Sequence, residues 1–196
     1  MIFKFVSRTD YRDKKALISN LHLTAPEVYV IPEGGTNKLA LNGCKEIISE
    51  CIFDQKINFW CVAAGTGGTA AGMITGLDEN QKLIGFSVLK GDFMKAEVEN
   101  LLSITPFSHN KNWMINSDYH FGGYAKFKPP LIEFINAFKK EYHIPLDPVY
   151  TGKLLYGVFD LIEKDFFPRG SKIMIIHTGG LQGIQGFNNR FGNLIQ

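Results

Sequence analysis

Residues 61–72 of the chain, "CVAAGTGGTAAG", join an apolar run to a glycine-rich loop and then to small apolar residues. The apolar run ends the segment "INFWCVAA" (57–64), which is typical of a buried strand. The segment "GTAAGMITGL" (68–77) is typical of a helix. A strand, a glycine turn and a helix in this order form the first half of a βαβ unit, so the stretch predicts a parallel sheet.

Strand-like and helix-like segments alternate along the rest of the chain. The strand-like runs are "IFKFV" (2–6), "VYVIPEGG" (28–35), "KLIGFSVLKGD" (82–92) and "KIMIIHTGG" (172–180). The helix-like segments are "NKLALNGCKEIISECI" (37–52), "FMKAEVENLLS" (93–103), "PLIEFINAFKKEY" (130–142) and "GKLLYGVFDLIEKDF" (152–166). This alternation predicts an α/β fold in which helices cover both faces of a mostly parallel sheet.

The composition narrows the classes of partner. With 196 residues, of which 45% are hydrophobic, the chain is long enough to bury one globular core. The net charge is +2 and the basic residues form no block, which argues against a nucleic-acid partner. No apolar stretch approaches the roughly 20 residues that cross a bilayer, and the apolar run at the start is too short for a secretory signal. We therefore expect a soluble cytoplasmic protein without a membrane partner.

The three cysteines, Cys44, Cys51 and Cys61, are odd in number and form no C-x-x-C pair. Their neighbours are apolar or helix-like, so disulfides and a zinc site both fit poorly. We expect three reduced thiols and no metal site.

The loop at residues 65–69, GTGGT, has the composition of a phosphate-binding loop. Glycines let the backbone approach an anion closely, and Thr66 and Thr69 add hydroxyl donors. The helix that follows directs its free N–H groups at the loop. Two other strand ends, at 33–37 and 177–180, are also polar and glycine-rich, and ligands bind at the carboxyl ends of strands in such sheets. The three ends together predict a binding crevice.

Several phosphate ligands are compatible with a glycine loop. Residues 65–70 match the dinucleotide pattern G-x-G-x-x-A, so an NAD(P)-binding Rossmann domain is one alternative. That site also needs an acidic residue at the end of the next strand, where this chain has Lys90, with Asp92 beyond it. No G-x-x-x-x-G-K-[ST] motif occurs, which argues against ATP and GTP. A phosphate monoester fits best.

Six segments together resemble the family of pyridoxal-phosphate enzymes that contains D-cysteine desulfhydrase and 1-aminocyclopropane-1-carboxylate (ACC) deaminase. They follow the order found in that family and are "FVSRTDYRDK" (5–14), "VIPEGGTN" (30–37), "GTGGTAAG" (65–72), "FGGYAK" (121–126), "LDPVYTGK" (146–153) and "HTGGLQG" (177–183). The resemblance implies a three-layer, tryptophan synthase β-like sandwich of fold type II. It also implies pyridoxal 5'-phosphate as cofactor, a small amino acid as substrate and a homodimer as assembly.

The resemblance covers nearly all of this chain but only the carboxyl-terminal part of the family's length. It therefore implies a fold that is incomplete at its N-terminus. Residues 1–25 are expected to be a remnant of the smaller domain, and residues 26–196 are expected to form the larger, cofactor-binding domain.

The same resemblance implies a cofactor-binding surface. In the family, the glycine loop grips the phosphate of the cofactor, and neighbouring polar residues shape the crevice. The implied cofactor contacts are Gly65, Thr66, Gly67, Gly68, Thr69 and Asn37, with His177 and Thr178 at the floor of the crevice.

Three further residues receive roles by resemblance. Tyr150 matches a catalytic tyrosine, a candidate for proton transfer or for binding the substrate carboxylate, and Tyr124 resembles the second active-site tyrosine. Thr151 matches the residue that faces the pyridine nitrogen, where the deaminase is expected to have a glutamate. A carboxylate keeps that nitrogen protonated and strengthens the cofactor as an electron sink, whereas a neutral hydroxyl does not. Thr151 therefore favours desulfhydration, a β-elimination that releases a 2-oxo acid and ammonia.

The resemblance also implies a lysine that forms a Schiff base with the cofactor. In the family it lies in an upstream segment similar to GNK-x-R-K, and neither this segment nor the Ser-Asn-His-like segment after it occurs here. Lys38 and Lys153 belong to other segments, and we expect neither to replace it. A non-catalytic protein that keeps the phosphate-binding crevice is therefore an alternative to an active lyase or deaminase.

Overall fold

The residues described by the computed structural model are 3–21, 28–51, 56–105 and 112–196. The chain divides into two compact units, and the first, Met1–Glu33, contains the short helices α1 (Arg8–Arg12) and α2 (Lys14–Asn20). A serine and an aspartate begin these helices by accepting a hydrogen bond from the N–H three residues later. The expected domain border after residue 25 lies outside the described residues and stays a prediction.

The second unit, Gly34–Gln196, contains the sheet. Its strands are β1 (Phe59–Ala64), β2 (Lys82–Ser87), β3 (Trp113–Asn116) and β4 (Ile173–Ile176). Its helices are α3 (Lys38–Glu50), α4 (Gly68–Ile74), α5 (Phe93–Ser103), α6 (Pro129–Tyr142), α7 (Thr151–Glu163) and α8 (Gly183–Phe191). Across the described residues of both units, no helix combines the length and apolar character needed to cross a bilayer.

The four strands all run parallel, in the order β3-β2-β1-β4. Ala64 at the end of β1 lies opposite Ser87 of β2, and Phe59 at its start lies opposite Ile173 of β4. Each connection between consecutive strands contains at least one helix, as parallel strands require. The predicted α/β fold with a parallel sheet is confirmed.

Strand β1 is buried on both faces, and its successive side chains serve two hydrophobic clusters. Trp60 and Val62 pack with residues of α3, α4 and α5. Cys61 packs with residues of α6 and α7 on the opposite face. Because neighbouring side chains of a strand point in opposite directions, helices cover both faces of the sheet, and the expected three-layer sandwich is confirmed.

Two predicted strands are wrong for the described residues. Residues 28–32 form no strand and Glu33–Gly35 form a 3-10 turn, although "VYVIPEGG" is rich in β-branched residues. Pro32 has no N–H to donate to a neighbouring strand. Residues 3–6 are not a strand either, because an alternating pattern forms a strand only where another backbone pairs with it. The sequence pattern does not predict strand β3, because its four residues are too few to establish a period.

Candidate functional site

The candidate site lies where the order of strands in the sheet reverses. β2 lies on one side of β1 and β4 on the other, so the order in which the chain fills the sheet reverses between β1 and β4. A crevice at such a reversal is the usual position of a ligand in an open parallel sheet. β1 ends directly before the glycine loop, and β4 ends directly before His177. Two of the three predicted strand ends therefore meet at this edge.

A pocket of about 280 Å³ opens at the same edge. This volume is close to the lower limit, about 300 Å³, of pockets that hold small organic ligands. Four segments of the second unit contribute the lining, which consists of Gly34, Ala63, Gly65, Thr66, Thr69, Tyr150, Thr178, Gly179, Gly180 and Gln182. The three glycine-rich segments singled out in the sequence thus form one crevice.

The geometry of the glycine loop explains its composition. Gly67 has a φ of 81°, in the left-handed region that favours glycine. A Cβ at Gly68 would lie 2.8 Å from the Oγ1 of Thr36, and a Cβ at Gly65 would lie 3.0 Å from the ring of Tyr150. A side chain at Gly65 would therefore displace Tyr150 from the wall of the pocket, and one at Gly68 would push the loop away from Thr36.

A hydrogen bond joins the glycine loop to the segment before α3. The hydroxyl oxygens of Thr36 and Thr66 lie 2.7 Å apart. Gly34 fits beside this pair, since a Cβ there would lie 2.7 Å from the Cγ2 of Thr66. Only one hydroxyl of the pair donates to the other, so the second keeps its hydrogen for another acceptor. The pair can therefore brace the loop and still offer a donor to a ligand.

The start of α4 supplies further donors. No side chain caps this helix end, and the first N–H groups of any helix have no partner within the helix. Thr69, in the first turn, lines the pocket together with Thr66. The lining residues in the described part of the chain include no carboxylate that would repel an anion. Backbone N–H groups and two hydroxyls around a glycine loop fit a phosphate group.

The two candidate tyrosines lie next to each other. Tyr150 lines the pocket, whereas Tyr124 is 59% exposed and lies outside the lining. Their ring centroids are 6.1 Å apart and the ring planes make an angle of 71°, an edge-to-face contact that aromatic rings favour. The structure therefore brings Tyr124 to Tyr150, and only Tyr150 to the pocket.

Thr151 is fully buried and does not line the pocket. Its hydroxyl donates to Asp147 Oδ2 at 2.7 Å and accepts from the Asp147 N–H at 2.9 Å. The Asp147 carboxylate also accepts from the N–H groups of Val149, Tyr150 and Thr151 at 2.8 Å each. Asp147 thereby fixes the backbone that leads into α7. Donation from Thr151 to a pyridine nitrogen would require its hydroxyl to leave Asp147, and that role stays a prediction.

Asn37 and His177 hold the segments beside the pocket. The Asn37 side chain accepts from the Ala40 N–H at 2.9 Å, which begins α3, and Asn37 does not line the pocket. His177 Nδ1 accepts from the Gly179 N–H at 3.2 Å, and its Nε2 lies 3.0 Å from the carbonyl oxygen of Pro145. These two contacts assign the proton to Nε2. His177 thus supports the wall that Thr178 begins.

No lysine of the described residues lines the pocket. Lys38 is exposed at the first position of α3. Lys153 is buried in α7, and its ammonium donates to backbone carbonyls rather than facing the pocket. Burial lowers the pKa of Lys153 to about 8, while the nearby carboxylate of Asp147 acts in the opposite direction.

Sequence reasoning overlooked three residues at this site. The role of Asp147 could have been predicted, because an aspartate shortly before a helix commonly accepts hydrogen bonds from the following N–H groups. Gln182 lines the pocket without any distinguishing pattern. Cys44 lies behind the glycine loop, where burial raises the pKa of its thiol and a hydrogen bond with Thr69 partly opposes this.

Fold and site together define an α/β protein with a ligand crevice at the strand reversal of a parallel sheet, and comparison with known proteins specifies the family. The chain is 33% identical over 176 residues to a Pyrococcus horikoshii protein provisionally named ACC deaminase, covering 85% of this chain and 54% of that protein. A protein of Pyrococcus furiosus with the same provisional name is 38% identical over 169 residues, covering 79% of this chain and 50% of that protein. The bifunctional, mitochondrial D-cysteine desulfhydrase/ACC deaminase of Arabidopsis thaliana is 34% identical over 184 residues, covering 86% of this chain and 45% of that protein.

A solved structure agrees with these relationships. The crystal structure of an ACC deaminase homologue matches with a TM-score of 0.80 at 28% identity, covering 100% of this chain and 62% of that one. No family model matches the chain. The resemblance carried by the six segments is confirmed: over the part that they share, the chain is similar to proteins named ACC deaminase and D-cysteine desulfhydrase. It spans about half the length of these curated relatives.

Proposed function

We propose that the pocket at the ends of β1 and β4 binds the phosphate of pyridoxal 5'-phosphate, and that the chain carries part of the active site of a desulfhydrase or deaminase. The observation that carries this proposal is the convergence of the GTGGT loop, residues 178–180 and Tyr150 in one pocket. The family relationship supports it, because the matched relatives are named for ACC deamination and D-cysteine desulfhydration.

The glycine loop and the first turn of α4 hold the phosphate in this proposal. Backbone N–H groups point to the oxygens, the hydroxyls of Thr66 and Thr69 donate, and the glycines allow close approach. Thr36 orients the hydroxyl of Thr66 through the 2.7 Å contact between them. Asn37 acts indirectly, by fixing the start of α3 beside this segment.

Tyr150 acts on the substrate. The bound cofactor supplies an electron sink for removal of the α proton and the β substituent of an amino acid. The Tyr150 hydroxyl, at the pocket, donates to the substrate carboxylate or passes its proton to the leaving group. Tyr124 contacts the Tyr150 ring and limits its rotation. Replacing Tyr150 by phenylalanine therefore slows turnover by about 10²-fold or more, with little effect on phosphate binding.

We further propose that the reaction is desulfhydration of a small D-amino acid rather than ring opening. The carboxylate beside Thr151 belongs to Asp147, and its four hydrogen bonds hold it within the chain. Ring-nitrogen surroundings without a free carboxylate make the cofactor a weaker electron sink, which still suffices to expel a thiolate. The products are a 2-oxo acid, ammonia and hydrogen sulfide.

A second candidate is a protein that binds the phosphate cofactor without turnover. It is favoured by the distribution of lysines, since none in the described residues lines the pocket. Under this candidate the crevice holds its ligand by charge and hydrogen bonds alone.

Two measurements separate these candidates from each other and from an NAD(P) domain. Thermal unfolding is followed with pyridoxal 5'-phosphate, pyridoxal or NAD+ added, and we expect only the first to raise Tm. Stabilisation by NAD+ but not by pyridoxal 5'-phosphate would contradict the proposal. Borohydride reduction and peptide mass spectrometry then look for a pyridoxyl adduct. An adduct on one defined lysine supports the lyase, and stabilisation without an adduct supports the binding protein.

A further inference from the structure

The loop after β3 has a strained backbone. Phe121 and Ala125 have φ values of 53° and 52°, and Gly122 and Gly123, between them, have values of 103° and 117°. Residues with a side chain rarely adopt the left-handed region, because their Cβ approaches a neighbouring carbonyl oxygen. Two such residues within five positions persist only where surrounding contacts fix the backbone.

The ammonium of Lys153 makes contacts of this kind. It lies 2.7 Å from the carbonyl oxygen of Gly123, 2.9 Å from that of His120 and 3.4 Å from that of Val88. Lys153 is 1% exposed, so these carbonyls replace water around the charge. An ammonium has three N–H donors, and carbonyl oxygens are also the ligands that proteins use for alkali cations.

The same carbonyls close the turns of the loop. The Gly123 N–H donates to the His120 oxygen at 3.0 Å, and the Lys126 N–H donates to the Gly123 oxygen at 3.1 Å. Each of these two oxygens therefore accepts one backbone hydrogen and one hydrogen of the Lys153 ammonium. Removing the ammonium would leave each of these two oxygens with its backbone hydrogen bond alone, while the Gly122 N–H would still donate to His120 Nδ1 at 2.8 Å.

Lys153 and the two tyrosines belong to the same arrangement. Lys153 lies in the first turn of α7, three positions after Tyr150, while Tyr124 lies inside the strained loop. The Lys153 side chain therefore links the helix that follows Tyr150 to the loop that carries Tyr124, and the two tyrosine rings contact each other beside this link.

We propose that Lys153 is an internal structural cation: its ammonium ties residues 120–125 to the first turn of α7 and so positions Tyr124 against Tyr150 at the mouth of the pocket. Lys153 is a positioning residue in this account, since it contacts the loop and not the pocket. The importance of Tyr124 for catalysis rests on the proposed function, but the tie itself is a property of the protein without any ligand.

The test removes the Lys153 side chain by mutation and then adds a small organic cation that can occupy its place. Lys153→Ala deletes the three carbons beyond Cβ and the ammonium, which together have the size of propylammonium. Propylammonium is therefore the matching additive, and 1-propanol is its uncharged control. Hydrogen exchange of the Gly123 and Lys126 amides reports the turns. The ¹⁹F resonance of 3-fluorotyrosine at Tyr124, assigned with Tyr124→Phe, reports the ring. Lys140→Ala, at an exposed position of α6, is the matched lysine control.

We expect exchange of these two amides to become roughly tenfold faster or more in Lys153→Ala, while amides of α6 keep their protection. Propylammonium restores both the slow exchange and the Tyr124 resonance, whereas 1-propanol and the control variant have no effect. Unchanged exchange in Lys153→Ala overturns the proposal. Equal rescue by 1-propanol also overturns it, because the apolar stem and not the cation would then hold the loop.

A measurement on the unaltered chain covers the case in which Lys153→Ala does not fold. A buried ammonium bonded to carbonyls gives a ¹⁵N-coupled NH₃⁺ signal in slow exchange with water, assigned by its loss in Lys153→Met. We expect one such protected signal, and its absence contradicts the proposal. Neither experiment uses pyridoxal phosphate, so failure of the tie and failure of the proposed function are separate results.

Discussion

The loops after β1 and after β3 both turn through left-handed conformations, but different contacts hold them there. In the loop after β1 the left-handed residue is Gly67, which adopts this conformation without strain. In the loop after β3, Phe121 and Ala125 adopt it with side chains present, beneath the ammonium of Lys153. The first loop is therefore specified by its own sequence, and the second by a residue about 30 positions further along the chain.

The largest effect is expected at Gly67. Gly67→Val places a β-branched side chain at a φ of 81° and a Cβ 3.1 Å from Val98. We expect the free energy of unfolding to fall by about 2–4 kcal/mol, measured by chemical denaturation. Gly186→Val, at a helical position with no atom within 4 Å, is the control and should change little. Equal stability of the two variants would show that the glycine loop is not locally specified.

The contact between Lys153 and the loop after β3 should make the free energy of unfolding depend on pH. The pKa of Lys153 is about 8 in the folded chain, against an ordinary value of 10.5. Between these values the unfolded chain binds more protons, so raising the pH favours the folded state. The stability of the wild type relative to Lys153→Met should therefore rise by about 3 kcal/mol from pH 8 to 10.5. A flat difference across this window would contradict the lowered pKa of Lys153, because the bonds to the carbonyls would then offset the desolvation of the ammonium in full.

A smaller effect is expected at Asp147, which fixes Tyr150 where the two loops meet. Asp147→Asn keeps the size of the side chain but replaces one acceptor oxygen by a donor that faces backbone N–H groups. We expect a loss of about 2 kcal/mol in unfolding free energy. Asp165→Asn, at an exposed position, provides the baseline. If Asp147→Asn loses no more stability than Asp165→Asn, Asp147 does not fix the backbone that leads into α7.

The smallest effect has the opposite sign to that at Gly67. Ala125→Gly relieves the left-handed strain at a φ of 52°, and we expect a gain of about 0.5 kcal/mol after the added entropy of the unfolded chain. Ala137→Gly, at an exposed position within α6, should instead lose about 1 kcal/mol. Destabilisation by both changes would mean that Ala125 is not strained.

The sequence could predict the elements whose own residues determine them. Strand β1 is a six-residue apolar run followed directly by glycine, and β2 belongs to a mostly apolar segment that ends before Lys90 and Gly91. The glycine loop carries its conformational requirement in its composition. In a parallel sheet the carboxyl ends of the strands lie at one edge, so the sequence could place the crevice at that edge but could not give the order of the strands.

The rest depends on contacts between distant residues. β3 is defined only by pairing with β2, and residues 28–32 look like a strand but join no sheet within the part of the chain that the structure describes. The Thr151 hydroxyl is directed by Asp147, and the ammonium of Lys153 by carbonyls beyond β2 and β3. No local pattern specifies which donor meets which acceptor, so these placements could not be predicted.

The central claim, that the GTGGT pocket holds the phosphate of the cofactor, is tested most directly by calorimetric titration with pyridoxamine 5'-phosphate. This compound has no aldehyde, so its binding requires no lysine, and pyridoxamine is the matched ligand without phosphate. We predict saturable binding of the phosphate ester alone, lost in Gly68→Val and kept in Gly186→Val. Equal binding of both compounds, or unchanged binding by Gly68→Val, would contradict the account.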